Sequence, residues 1–577
     1  MVKLVKYLKV FTPQILLIFG LVFIQVMADL QLPYYMSQIV DDGILKGDHE
    51  VILRIGIIML IVALVSGAST IAVVYFSAKV GAGFSKNLRN EIFEKVESFS
   101  LVEINKFSTA SLITRSTNDI QQLQIVLIMA LRIILAGPLT AIGAAIKAAE
   151  TNPSMTWIML TAIVVLIVAV VTVFTISLPK VKMLQKLVDN LNLVTRERLT
   201  GIRVIRALNR EHTEQDKFDK ANAELSNVNL FVNRTIAFMH PAMMLNMNIT
   251  SIAVIWVGSH MISTGDIMIG DMIAFMQYSM QLIMAFLMLA VVFIMIPRAV
   301  VSANRISEVL ETDVSIKDSE DAIEISDSNF KGSIEFRNVG FTYPDSEEPV
   351  LKDITFIANV GETTAFIGST GSGKTTLINL LMRFYDTTKG KILIDGYDIR
   401  KFKQSSLREK IGYVPQKAVL FSGTIKSNIK YGSVDALDEE ISQASEVAQA
   451  REFVDDFDEK FDTKIAQNGS NVSGGQKQRL SIARAIVKKA KIYIFDDSFS
   501  ALDYKTDSML RKELSERMKE ETVLIVAQRV STIVKADKII VLEEGEIVGV
   551  GTHNELLRNC KIYEEIALSQ MSEEELA

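Results

Sequence analysis

The 577-residue chain reads as two joined parts: an all-α, six-helix transmembrane domain, then an α/β domain built round a phosphate-binding loop. Three observations carry this. Six apolar stretches long enough to cross a bilayer precede residue 300; the density of charge doubles after residue 310; and a glycine-rich loop joins an apolar strand to a helical run near residue 370.

The average composition, 49% apolar and 22% charged, conceals these halves. Residues 1–310 hold 26 Lys+Arg and 21 Asp+Glu, and residues 311–577 hold 35 and 46, so the net charge of -6 is +5 before the boundary and -11 after it. An acidic second half argues against sequence-independent nucleic-acid binding, which needs a basic face. One cysteine, Cys560, excludes a disulfide framework or a cysteine-based zinc site.

The six stretches are 14–36, 52–78, 123–146, 155–178, 236–262 and 269–297. Each exceeds the roughly 20 residues that span a hydrocarbon core. Cytoplasmic connections are enriched in Lys and Arg. The N-terminal tail and connections 79–120 and 180–235 hold 20 basic residues, against two, Lys46 and Lys147, in the other three connections. This bias predicts a multi-pass protein of the cell (inner) membrane, with the N-terminus and everything after residue 297 in the cytoplasm. The first span carries Asp29 and exceeds a secretory signal in length, so it is expected to remain in the protein.

Asn87 to Phe99 and Leu184 to Arg198 alternate apolar and charged residues near a helical period, which predicts membrane helices that continue into the cytoplasm. The turns at Ser108 to Thr117 and Thr200 to Ala207 are the expected contact points for the domain beneath. Met268, Met272, Met276, Met280, Met284 and Met288 recur every fourth residue along the last helix. Flexible thioethers there suit either the wall of a substrate cavity or ordinary packing and lipid contact. Arg132 lies inside a span and is read as functional, as snorkelling, or as paired with Asp29.

Residues 311–330, with seven acidic residues and one basic, predict a solvated linker, and a domain at 331–577 follows. Its phosphate-binding loop is Gly368, Ser369, Thr370, Gly371, Ser372, Gly373, Lys374 and Thr375, after a strand at Thr364 to Ile367 and before a helix at Thr376 to Phe384. Glycines allow backbone N–H groups to wrap phosphates, Lys374 neutralises the β/γ oxygens, and the Thr375 hydroxyl is placed for Mg²⁺. The apolar strand from Lys491 ends in Asp496, the arrangement that sets a carboxylate beside the metal, with Asp497 next. Between them, Ser473, Gly474, Gly475 and Gln476 open a helix, whose bare N–H groups form an anion site with no phosphate loop of its own.

A six-span domain followed by these three elements in this order resembles an ABC exporter half-transporter over essentially the whole chain. The resemblance implies an ABC-type nucleotide-binding domain with ATP and Mg²⁺ as ligands. It assigns Tyr343 to adenine stacking, Thr376 to the nucleotide, and Thr375, Gln416 and Asp496 to Mg²⁺. It places Ser473 to Gln476 against the ATP of a second subunit, and Asp503 at the dimer axis.

The chain departs from that pattern at two positions. The family has a Glu after the Mg²⁺-linked Asp and a His about 30 residues later; here Asp497 and Gln528 stand at the catalytic positions. Asp is one methylene short of a base position, and Gln has no titrating ring. Ala466 to Gly469 also differs from the usual Gly-Glu-Arg-Gly. The expectation is the degenerate-site subunit of a heterodimeric exporter. Its partners are a second, non-identical half-transporter, the lipid bilayer and a small amphipathic substrate, with no nucleic acid. A lipid or peptide translocator and an ATP-gated regulator are the alternatives.

Overall fold

The computed structural model describes residues 2–326 and 330–570. Residues 327–329 of the expected linker and the last seven residues of the expected second domain lie outside the described residues. Contacts divide the chain into two units: Met1–Glu97 with Thr109–Thr312, and Ser98–Ser108 with Asp313–Ala577.

The first unit is all-helical. Its long helices are α1 (Thr12–Gln38) and α2 (His49–Glu97), and, after the short α3 (Leu101–Phe107) of the other unit, α4 (Ile120–Thr151), α5 (Thr156–Thr200), α6 (Glu211–Ala237), α7 (Met239–Thr264) and α8 (Ile269–Glu311). Among the described residues, six segments are long and apolar enough to cross a membrane: Leu4–Ile44, His49–Glu97, Thr109–Thr151, Pro153–Thr200, Glu211–Thr264 and Ile269–Leu289. Pro33, Pro138, Pro179 and Pro297 sit inside helices, a placement that membrane helices tolerate. Asn87 to Glu97 and Leu184 to Arg198 continue α2 and α5 without a break, as the helical period predicts.

Arg132 is exposed, and it does not pair with Asp29, whose carboxylate accepts a hydrogen bond from Ser66 of α2. The methionine row divides along α8: Met272 and Met276 pack on the helical core, whereas Met280, Met284 and Met288 are 39–48% exposed.

Ser98–Ser108 belongs to the second unit. Ser100 and Glu103 form a capping box at the start of α3, and Leu101 and Val102 pack on the core of the second unit. Within the second unit, then, residues Leu101 and Val102 supply the apolar contact, just before the stretch Ser108 to Thr117. The helical turn Ile202–Ala207, the other expected contact, buries no residue.

Residues 313–326 are more firmly held than a solvated linker. Ile316 is buried, Arg383 bonds Lys317 O and Asp318, and Ile323 bridges Phe402. The acidic residues mask this docking in the sequence because one of them, Asp318, is a ligand of the buried Arg383.

The second unit carries β1 (Ile334–Phe341), β2 (Leu351–Ala358), β3 (Thr363–Gly368), α9 (Lys374–Leu381), β4 (Lys389–Ile394), β5 (Tyr397–Asp398), β6 (Ile411–Val414), β7 (Gly423–Thr424) and β8 (Lys464–Ile465). It continues with α10 (Gly474–Ile486), β9 (Ile492–Asp496), α11 (Tyr504–Arg517), β10 (Thr522–Val526), β11 (Lys538–Glu543), β12 (Glu546–Gly551) and α12 (Lys561–Leu568). A four-stranded antiparallel sheet has the order β2-β1-β4-β5, and a six-stranded sheet the order β12-β11-β3-β10-β9-β6. In the larger sheet only β12 runs antiparallel to its neighbour. Strands β9 and β10 are buried at every position, as parallel strands covered on both faces require.

Candidate nucleotide site

Four adjacent parallel strands deliver the site from one edge of the sheet. The carboxyl end of β3 opens the glycine-rich loop, β10 leads to Gln528, β9 ends in Asp496 and Asp497, and β6 leads to Gln416. Ligands of such sheets lie beyond the carboxyl ends of the strands.

The loop needs its glycines where space is shortest. A Cβ on Gly368 would stand 2.0 Å from Leu542 O, and Gly373, at φ +100°, would place one 2.5 Å from Leu351 Cδ2. Lys374 begins α9 and is buried. Its Nζ donates to Gly368 O at 2.8 Å, Ser369 O at 2.7 Å and Ser372 Oγ at 3.2 Å. Burial lowers its pKa, opposed by the charges of Asp497 and Asp496.

Asp496 is 2% exposed. Burial, with the neighbouring Asp497 charge, pushes its carboxyl up to about 6, while a hydrogen bond with Thr375 and the charge of Lys374 act the other way. Its Oδ1 is buried without a hydrogen-bond partner. An orphaned carboxylate oxygen beside a threonine hydroxyl is a donor set for a hard cation.

Asp497 adopts φ +46°, in the left-handed region. Its Oδ2 accepts from Gln528 Nε2 at 2.9 Å and from Gln416 Nε2 at 3.2 Å, and its backbone oxygen accepts from Ser500 Oγ at 3.0 Å. Burial raises its pKa; the Gln416 hydrogen bond, then the charges of Arg529 and Lys374, oppose this.

Tyr343 follows β1, and its hydroxyl lies 3.0 Å from Thr376 Oγ1 of α9. Its ring meets Phe341 and Tyr385 edge-on, with centroids 4.8 and 5.2 Å away. Tyr385 accepts a 3.3 Å hydrogen bond from Asn105 Nδ2 of α3.

Ser473 caps α10: its hydroxyl accepts from Gln476 N at 3.3 Å while Gln476 Oε1 accepts from Ser473 N at 2.9 Å. Gly474 is open, and Gly475 backs onto Ala501. Asp503 is the N-cap of α11, accepting from Thr506 N at 3.0 Å. Among the described residues, no hydrogen bond joins Ser473 to Gln476, or Asp503, to the loop at Gly368 to Thr375.

Residues 15–309 match the family model described as the ABC transporter transmembrane region, and residues 351–500 match that described as ABC transporter. An uncharacterized ABC transporter ATP-binding protein of Mycobacterium tuberculosis is 39% identical over 95% of this chain and 94% of its own length. The chain belongs to the ABC transporter family. An ATP-dependent lipid A-core flippase of Syntrophus aciditrophicus is 32% identical, over 94% of this chain and 90% of that protein. A putative multidrug export ATP-binding/permease protein of Staphylococcus aureus is 40% identical over 64% of each chain. The solved structure of a bacterial Atm1-family ABC exporter with ATP bound has the same fold, with a TM-score of 0.81, 24% identity, and coverage of 98% of this chain and 99% of that one.

An ABC exporter half-transporter of this kind, with its membrane domain fused to an ATPase domain, binds ATP. Its loop glycines and the orphaned Asp496 oxygen fit phosphates and Mg²⁺. The sequence motifs locate the loop, the Asp496–Asp497 strand end and the capped α10, and the strand order brings Gln416 and Gln528 close to Asp497. Motif reading misses Arg529, which sits next to Gln528 in sequence, and Tyr385, which carries no local signal and joins the site only by packing.

Proposed function

We propose that this chain is one subunit of a heterodimeric ATP-driven exporter that moves amphipathic or hydrophobic compounds out of the cytoplasm or inner leaflet. In this reading its own ATP site is hydrolytically impaired. The carrying observation is Asp497, a short carboxylate whose Oδ2 already accepts two amide N–H groups. A general base needs a free lone pair aimed at the attacking water, and a carboxylate one methylene short that is held by donors supplies this poorly.

The residue roles follow from chemistry at each atom. Tyr343 stacks on adenine, Lys374 exchanges its loop acceptors for β/γ oxygens, and Thr375, Asp496 and Gln416 hold Mg²⁺. Bound Mg²⁺ supplies charge neutralisation across the phosphate oxygens. Gln528 donates a hydrogen bond to the terminal phosphate without a titrating group. Ser473 to Gln476 present N–H groups and a hydroxyl to the ATP held by the other subunit, and Asp503 lies at the shared axis. An intact signature beside a weakened catalytic pair has a use only opposite a competent site. The lysine and arginine bias supports a cell-membrane protein whose N-terminus and nucleotide domain face the cytoplasm.

The half-exposed Met280, Met284 and Met288 support an adaptable apolar path for the substrate. A lipid translocator is the second reading, favoured by the lipid A-core flippase among the relatives. Steady-state ATPase decides the main point. The purified chain alone is expected near background, and co-purification with a second half-transporter is expected to restore turnover. Full stimulated turnover by this chain alone overturns the heterodimer. Stimulation by lipid and not by small hydrophobic cations selects the second reading.

A further inference from the structure

The turn that carries Gln528 is held from outside the site by a residue near the end of the described chain. Helix α12 is fixed in the core: Tyr563 is fully buried, its hydroxyl is 2.7 Å from His553 Nδ1, and Ala567 is fully buried one turn later. Gln570 follows, its backbone N donating to Ala567 O at 3.0 Å. Its side-chain amide spans two residues of the turn. Nε2 donates to Gln528 O at 2.9 Å, and Oε1 accepts from Val530 N at 2.8 Å. Val530 begins a four-residue helical turn, so its N–H has no partner inside that helix, and the Gln570 oxygen satisfies it.

The side chain of Gln570 thus acts as a peptide unit laid along the backbone of residues 528 to 530. Two bonds from one planar amide fix both position and tilt, which a single bond does not. Beyond them, Gln528 reaches Asp497 Oδ2. The path from Gln570 to the carboxylate is two hydrogen bonds with one residue between them.

We propose that Gln570 is a positioning residue for the ATP site, holding the Gln528 turn so that the Gln528 amide stays directed at Asp497 and the terminal phosphate. The proposal stands on the ATP site of this chain and does not depend on the identity of the second subunit. Gln570 does not touch nucleotide. Its influence on the site passes through the 528–530 turn to the Gln528 side chain, and this separates it from a residue that only anchors α12.

The test is a double-mutant cycle on the full-length chain in lipid nanodiscs, reading the release rate of fluorescently labelled ATP with Mg²⁺. Gln570→Glu keeps the shape and the acceptor for Val530 N but removes the donor to Gln528 O. Gln570→Ala removes both bonds. Each is expected to speed release about 3- to 10-fold, the worth of one net hydrogen bond. In a Gln528→Ala background the same replacements are expected to change release by less than about twofold, because the group being positioned is gone. Unchanged release in Gln570→Glu overturns the proposal. So does a Gln570 effect that persists in full in the Gln528→Ala background, or one matched by an equal loss of Tm with no dependence on Gln528.

Discussion

Gln528 Nε2 lies 2.9 Å from Asp497 Oδ2, and that oxygen also accepts from Gln416 at 3.2 Å. The Asp497 carboxylate is thus clasped by two side-chain amides that follow neighbouring strands. The proposed impairment of this site rests on the reach of that carboxylate more than on its charge.

Lengthening the carboxylate tests this directly. Asp497→Glu is expected to raise ATP turnover at this chain's own site about 10- to 100-fold, since a misplacement near 1 Å carries a cost of that order. Steady-state phosphate release with and without the second subunit measures it. No gain would mean that reach is not the limiting property.

The pH response follows from Asp496. Its carboxyl titrates near 6 in the fold against an ordinary 3.8. The folded state therefore holds a proton that the unfolded chain has lost between those values. The contribution of Asp496 to stability without metal is highest below 3.8, declines as pH rises toward 6, and is lower by roughly 1–3 kcal/mol at pH 7. Asp496→Asn is expected to raise the Tm of the nucleotide-free protein at pH 7.5 by a few degrees, to leave it unchanged at pH 4, and to abolish Mg²⁺-dependent stabilisation by ATP. Thermal melts across pH with and without Mg²⁺ provide the readout.

Glu103 connects α3 to the segment after α8. Its carboxylate accepts from Ser100 N at 2.8 Å, Ser100 Oγ at 2.6 Å, Ser315 N at 3.1 Å and the Ser315 hydroxyl. Burial pushes its pKa up, but these donors prevail and hold it below the usual glutamate range. The stabilisation is full above the unfolded value of 4.5 and is lost as pH falls through the lower folded value. Glu103→Ala is expected to cost about 1–3 kcal/mol by leaving the part-buried donors of Ser100 and Ser315 without their acceptor. ATP affinity is expected to stay unchanged while transport falls at least about tenfold; equal losses in both would remove its linking role.

Gly474 distinguishes the Gly368 loop from the proposed role of Ser473 to Gln476 in a second subunit's site. A Cβ there meets nothing within 4 Å of this chain. Gly474→Ala is expected to change stability by less than about 0.5 kcal/mol and to leave ATP binding at the Gly368 loop intact. Partner-dependent ATPase is expected to fall at least about tenfold. Retained partner-dependent turnover would count against a signature that acts in the other subunit's site.

Much of this molecule is readable from local pattern. Spans, phosphate loop and Asp496 strand each occupy one continuous stretch, where hydropathy, glycine spacing or strand length is sufficient. What escapes is long-range pairing. Nothing near Gln570 points to Gln528, 42 residues earlier, and nothing near Asn105 points to Tyr385, 280 residues later. Asp318 looks like one more solvated acid until the buried Arg383 is placed beside it. The packing of Leu101 and Val102 on the core of the second unit likewise leaves no mark in the residues around it.

The three acceptors around Lys374 Nζ have a kinetic corollary. The lysine occupies its own receptor. An arriving nucleotide must outcompete Gly368 O, Ser369 O and Ser372 Oγ, so capture is a swap of ammonium ligands with little net gain in their number. On the proposed residue roles, small free anions bring few compensating contacts to that competition, whereas a nucleotide adds those at Tyr343 and the metal-side oxygens. The loop's selectivity in that reading resides partly in a plug that the protein supplies from its own chain.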